Sequence, residues 1–156
     1  MPDTPMPEPV AADMPERVAA APLDEAAARV GDRWKLLIVA ALLDGSRRFN
    51  QLQEELPARI ASNVLAQRLK DLEREGLVVS RPYSRRPLRV AYQLTASGLE
   101  LAGALRLLAQ WGARRAGEAG ALRHAACGTP MEARWYCPTC ARLVDDDEPP
   151  GELRFV

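Results

Sequence analysis

The sequence predicts a mainly α fold with a small β-hairpin, an α+β class, and three observations lead to it. Apolar residues recur at helical spacing in segments between 24 and 119. Glycines or prolines stop several of these segments. Two short β-branched or aromatic runs, 77–79 and 90–94, flank a proline-bearing turn. With 156 residues and 47% hydrophobic content, the chain can bury the core of one domain and carry a small appendage.

The elements follow in order. Residues 1–22 hold prolines at 2, 5, 7, 9, 15 and 22 among alanines and acids, the composition of a disordered tail. A first helical piece runs over 24–30, with Leu23, Ala27 and Val30 near one face. Gly31 interrupts it, and Asp32 can cap the next helix, whose core face is Trp34, Leu37, Ile38, Ala41 and Leu42. Phe49, Leu52 and Leu56 form a short third stripe that Pro57 stops. Val64, Leu65, Leu69 and Leu72 line a helix over 62–75, with Ser62 where an N-cap belongs and Gly76 as its C′ residue. The hairpin follows. Thr95 then caps a last helix, 96–119, in which Leu101, Leu105, Leu108 and Trp111 recur three or four apart. That stripe can be intramolecular core. Because it follows an already complete unit, a dimer seam along 95–119 is expected.

Two helices followed by a hairpin, over 23–94, make a winged helix-turn-helix, and charge placement suits it to DNA. The chain balances 21 basic residues against 21 acidic ones. Residues 46–92 hold ten basic and five acidic residues, a net +5, which leaves eleven against sixteen, −5, elsewhere. Phosphate attraction is local on the scale of a Debye length, ~8–10 Å, so the island matters more than the total. The 62–75 helix sets its leucine face against Asn63, Ala66, Gln67 and Lys70, with Arg68 and Arg74 at the sides. Asn and Gln can pair adenine bidentately, and Arg and Lys favour guanine or phosphate. Ser62 and the helix start can hold a phosphate. Taken alone, such a face is equally a solvated helix surface. The wing, 80–89, adds Arg81, Arg85, Arg86 and Arg89 with no acid from 77 to 92, a tip suited to backbone or a narrow minor groove. Arg47 and Arg48 can reach phosphate on the other side, or serve as a solvated cap, with Arg48 leaning on the fold.

Several runs then match one family. Val30-Gly31-Asp32-Arg33-Trp34, Arg48-Phe49-Asn50-Gln51-Leu52, the 64–72 run and Tyr92-Gln93-Leu94-Thr95-Ala96-Ser97-Gly98 resemble the HxlR-type winged helix regulators, over about 23–113. The resemblance implies a bacterial transcriptional regulator that binds palindromic operators as a homodimer. Many members carry a sensing cysteine just before the first helix. Here that neighbourhood reads Ala21-Pro22-Leu23, so no N-terminal thiol switch is expected.

All three cysteines and the single histidine fall in a second constellation over 120–145: His124-x-x-Cys127, then Cys137-x-x-Cys140. Paired two-residue spacings let each half chelate from a tight turn, and four N/S ligands complete a tetrahedral, structural Zn²⁺ with no open position. A segment so small has little core, so the metal would supply its folding energy. The rivals are a redox dithiol, a metal- or thiol-responsive switch, and a metal-free tail. Residues 146–156 form an acidic end, a solvated tail or a screen for the wing. No apolar run approaches the ~18 residues of a membrane span and no secretory signal is seen, so a cytoplasmic, nucleoid-associated protein is expected. No Ser/His/Asp set, phosphate loop or paired-carboxylate site suggests an enzyme. A protein-interaction module on the same scaffold would carry a depleted wing.

Overall fold

The computed structural model describes residues 21–57, 59–85, 87–118 and 122–144. The expected N-terminal tail up to residue 20, Arg86, the side chain of Arg85 and the acidic end lie outside the described residues.

Helix α1 (Ala21–Val30) breaks at Gly31, and Asp32 starts α2 (Arg33–Leu42) as expected. The Asp32 carboxylate accepts from the Trp34 and Lys35 amides at 2.9 and 3.2 Å, satisfying two donors of the open first turn. A two-residue strand β1 (Arg47–Arg48) leads into α3 (Phe49–Glu55), and α4 (Ser62–Arg74) follows. Strands β2 (Val78–Arg85) and β3 (Leu88–Leu94) form the wing. The sheet is antiparallel, in the order β1-β3-β2, with Arg48 opposite Ala91 and Val78 opposite Leu94. Strand β1 has no sequence signal: two adjacent arginines lack the apolar alternation of a strand, and only pairing with β3 makes it one.

Eleven apolar side chains from α2, α3, the following turn, α4 and the start of β2 form one buried cluster. Leu52, Leu65 and Leu72 are fully buried at its centre. Burial of each such leucine stabilises by roughly 1.5–3 kcal/mol. Helix α4 ends at Gly76 (φ +71°), where the Gly76 amide donates to Glu73 O and the Leu77 amide to Leu72 O, both at 3.0 Å. That pair of bonds is a Schellman stop, and the left-handed glycine makes it inexpensive. Leu77 then turns straight into the core. The Thr95 hydroxyl donates to Gly76 O at 2.6 Å and accepts from Gly98 N at 3.1 Å, joining the end of β3 to this corner. Gly98 has no alternative there, because an added Cβ would collide with the Leu77 carbonyl.

The single helix expected over 96–119 is two: α5 (Ala96–Glu100) and α6 (Ala102–Arg115), joined at Leu101. Leu101 keeps a right-handed helical backbone (φ −71°, ψ −12°), so the break is shallow. Leu101 and Leu105 pack against the core cluster, while Leu108 and Trp111 stay exposed. The C-terminal ribbon holds a bridge between Arg123 and Pro130 and a hairpin of β4 (Trp135–Cys137) with β5 (Arg142–Val144). It reaches α6 through Gln110, whose side-chain amide donates to Met131 O at 3.2 Å. Among the described residues no helix is long and apolar enough to cross a membrane.

Candidate nucleic-acid interface

Helix α4 is amphipathic by its leucine period. Burying Leu65, Leu69 and Leu72 forces Ser62, Asn63, Ala66, Gln67 and Lys70 outward, and all five are exposed. Ser62 is not the N-cap. Ala61 holds that position with no side-chain bond, and Ser62 is the first helical residue. Its hydroxyl accepts from Gln53 Nε2 at 2.8 Å, and the same amide lies 3.3 Å from Ile60 O. Gln53 therefore clamps the turn between the two helices, which leaves the first amides of α4 without a side-chain acceptor. The sequence reading missed this clamp, because a glutamine in a short helix has no distinguishing pattern.

The basic residues divide into held and free groups. Arg68 lies 3.0 Å from Asp32 and 3.7 Å from Asp71. Its Nε is buried and approaches Asp32 off the direction of a well-aligned hydrogen bond, so the contact is an ion pair. Partial burial works to raise the Asp32 pKa. The Arg68 contact and the Lys35 and Trp34 amides outweigh that and hold it below the ordinary carboxylate value. Arg68 thus ties α4 to the start of α2. Asp71 also accepts from Gln67 and Arg74 at 3.0 Å each. Arg47 is held as well: its Nε meets both Glu55 oxygens at 2.9 and 3.0 Å. A carboxylate eight residues away can be matched to an arginine only when the fold brings them together.

Arg48 leans on the fold, with its guanidinium 4.5 Å from the centre of the Tyr83 ring. Tyr83 sits at a bulge between Pro82 and Ser84 in β2. Together with Phe49, Asn50, Gln51, Glu54, Arg89 and Val90 these two residues line an open groove of about 560 Å³ between α3 and the wing. Arg81 and Arg89 are exposed on the wing strands. The wing is braced on α4 by Glu73, whose carboxylate accepts from the Ser80 amide at 3.0 Å. Arg59, exposed in the turn before α4, adds a further basic residue whose place the sequence pattern does not mark.

Of the expected seam, Leu101 and Leu105 are half-buried and pack against the core cluster of the winged unit. Leu108 and Trp111 remain, 53% and 54% exposed, and the structure adds Leu99 and Leu107 to the same exposed set. The four Cys/His residues come together as two pairs. His124 Nδ1 is 3.3 Å from Cys127 Sγ, and Cys140 engages Cys137. Among the described residues no three His, Cys, Asp or Glu side chains stand around a common point suited to a metal ion.

With this geometry in view, the comparisons are specific. The model of the HxlR-like helix-turn-helix family matches residues 29–119. An HTH-type transcriptional regulator of Mycobacterium tuberculosis (strain ATCC 25618 / H37Rv) is 36% identical over 148 residues, covering 89% of this chain and 92% of its own. A match of that span cannot be confined to residues 29–119. The HTH-type transcriptional regulator YodB of Bacillus subtilis (strain 168) is 34% identical over 89 residues, 57% of this chain and 79% of its own. Among solved structures, the redox regulator HypR in its reduced form superposes with a TM-score of 0.58 at 28% identity, covering 62% of this chain and 94% of that one.

Proposed function

The chain belongs to the HxlR-like helix-turn-helix family, and on that premise we propose that it is a bacterial transcriptional regulator that binds a palindromic operator as a homodimer. Helix α4 enters the major groove and the wing lies on the backbone or the minor groove. The observation that carries this is the exposed polar face of α4, Ser62, Asn63, Gln67 and Lys70, beside exposed Arg81 and Arg89, with neighbouring Asp71 taken up by Gln67, Arg68 and Arg74. Asn63 and Gln67 read base edges. Lys70, Arg59 and the wing arginines contact phosphate, and the uncapped start of α4 adds amide donors for one more. The exposed Leu99, Leu107, Leu108 and Trp111 supply the apolar face that a second copy covers. Such a protein acts in the cytoplasm, on the nucleoid.

The test begins with selection of bound fragments from genomic DNA, followed by titration of the selected duplex at several salt concentrations. Replacing Arg81 and Arg89 by Ala should weaken binding to every sequence and lower the log–log salt slope by about 2. An unchanged slope removes the wing from the interface. Gln67→Ala should instead change the preferred base at one position in each half-site. A second reading, a metal- or thiol-responsive switch through His124, Cys127, Cys137 and Cys140, is supported by the exposure of Cys127 and Cys140 and by the absence of any cysteine outside this ribbon.

A further inference from the structure

The C-terminal ribbon builds one turn twice. In the first copy His124 and Cys127 bracket a turn closed by Gly128 N donating to His124 O at 2.8 Å and His124 N to Thr129 O at 2.9 Å. In the second copy Cys137 and Cys140 bracket the turn of the β4–β5 hairpin, where Cys137 lies opposite Arg142. Directly after the second Cys/His position of each turn stands a residue in the left-handed region, Gly128 at φ +70° and Ala141 at φ +51°. Glycine adopts that backbone freely. For alanine it costs about 1–2 kcal/mol, so the turn shape is imposed and not merely permitted.

Each turn also presents its donors as a chelating pair. The His124 Nδ1 to Cys127 Sγ separation is 3.3 Å. Tetrahedral bonds of ~2.05 Å to nitrogen and ~2.3 Å to sulfur put two ligands ~3.5 Å apart, within a few tenths of that value. The Cys127 thiol also donates to the Thr129 hydroxyl at 3.2 Å, which fixes its side chain in the turn.

The described residues of the ribbon bury little apolar surface. Among its described residues Val144 is the buried apolar side chain, while Trp135, Tyr136 and Leu143 are 52%, 60% and 56% exposed. A lone two-stranded hairpin is marginal in water. Small modules without a core are held by disulfides or metals, and none of the three cysteines is in a disulfide.

We propose that the ribbon is a zinc module in which His124 Nδ1, Cys127, Cys137 and Cys140 hold one structural Zn²⁺ per chain. The two turns close on the ion through the connecting residues 132–134, which lie outside any helix or strand. Four protein ligands leave no position for a reactive water, so the ion's role is to fold the ribbon. This inference is independent of DNA binding, and its test uses none.

Full-length protein purified without chelator should contain about one zinc per chain, and Cys137→Ser should lose most of it. Replacing zinc with Co²⁺ should give the intense visible absorption of a tetrahedral thiolate site, absent in Cys137→Ser. Helical circular dichroism and its thermal transition, unchanged in the variant, would show that the winged unit still folds. Three outcomes overturn the proposal: reduced protein that neither carries nor takes up zinc, a weak octahedral Co²⁺ spectrum, or a single alkylatable thiol reporting a Cys137–Cys140 disulfide.

Discussion

Residues 33–94 and residues 122–144 are built on opposite terms. In the first region eleven apolar side chains are buried against one another, and the cluster is continuous from α2 through α4 into β2. In the second, Val144 is buried and three large apolar side chains stand more than half exposed. The winged unit therefore has its stability in side chains that face away from its candidate interface. Asn63, Lys70, Arg81 and Arg89 are exposed outside that core, and Gln67 is held only by Asp71. The ribbon has no such separation: the four residues proposed to chelate are also the ones that bracket its turns. Stability and function are spatially distinct in one region and coincide in the other.

That contrast can be broken by mutation, starting with the largest effect. Leu69→Ala, at a position 1% exposed, should lower unfolding free energy by about 2–5 kcal/mol in urea denaturation. Leu143→Ala in the ribbon should stay within about 0.5 kcal/mol. Equal losses at the two sites would mean that the ribbon shares the core after all. Asp32→Ala comes next, at about 0.5–2 kcal/mol, because it removes a helix cap and leaves Arg68 without one of its two carboxylates. Tyr83→Ala should cost about 0.5–1 kcal/mol through loss of the Arg48 stacking contact at the base of the wing.

The smallest effect concerns pH. The Asp32 pKa is lowered in the folded protein, so its contribution is fully present above the unfolded carboxylate value of ~3.9 and is lost as pH falls through the folded value. Asp32→Asn should therefore be less stable than the parent chain near neutrality, with the gap narrowing below about pH 4. A gap that is constant across the acid range would show that the Asp32 charge adds nothing beyond its shape.

Sequence alone determined the parts of this protein that depend on period and on local backbone chemistry. The leucine spacing of α4 dictated which face it buries and therefore which face it offers to a ligand. Asp32 as a cap and Gly76 as a stop were legible because each acts on backbone groups within five residues. The paired spacing of the four Cys/His residues was legible for the same reason, and the structure forms a tight turn at each pair. Tertiary structure decided what depends on partners far apart in the chain. Arg68 is tied to α2 because Asp32, thirty-six positions earlier, is folded against it. Arg47 is held by Glu55, and Arg47–Arg48 become a strand only beside β3. Leu101 and Leu105 pack partly against the core while Leu108 and Trp111 stay exposed, although all four share one period. A period gives the face of a helix but not what that face meets, and an arginine's charge does not say whether a carboxylate will be folded against it.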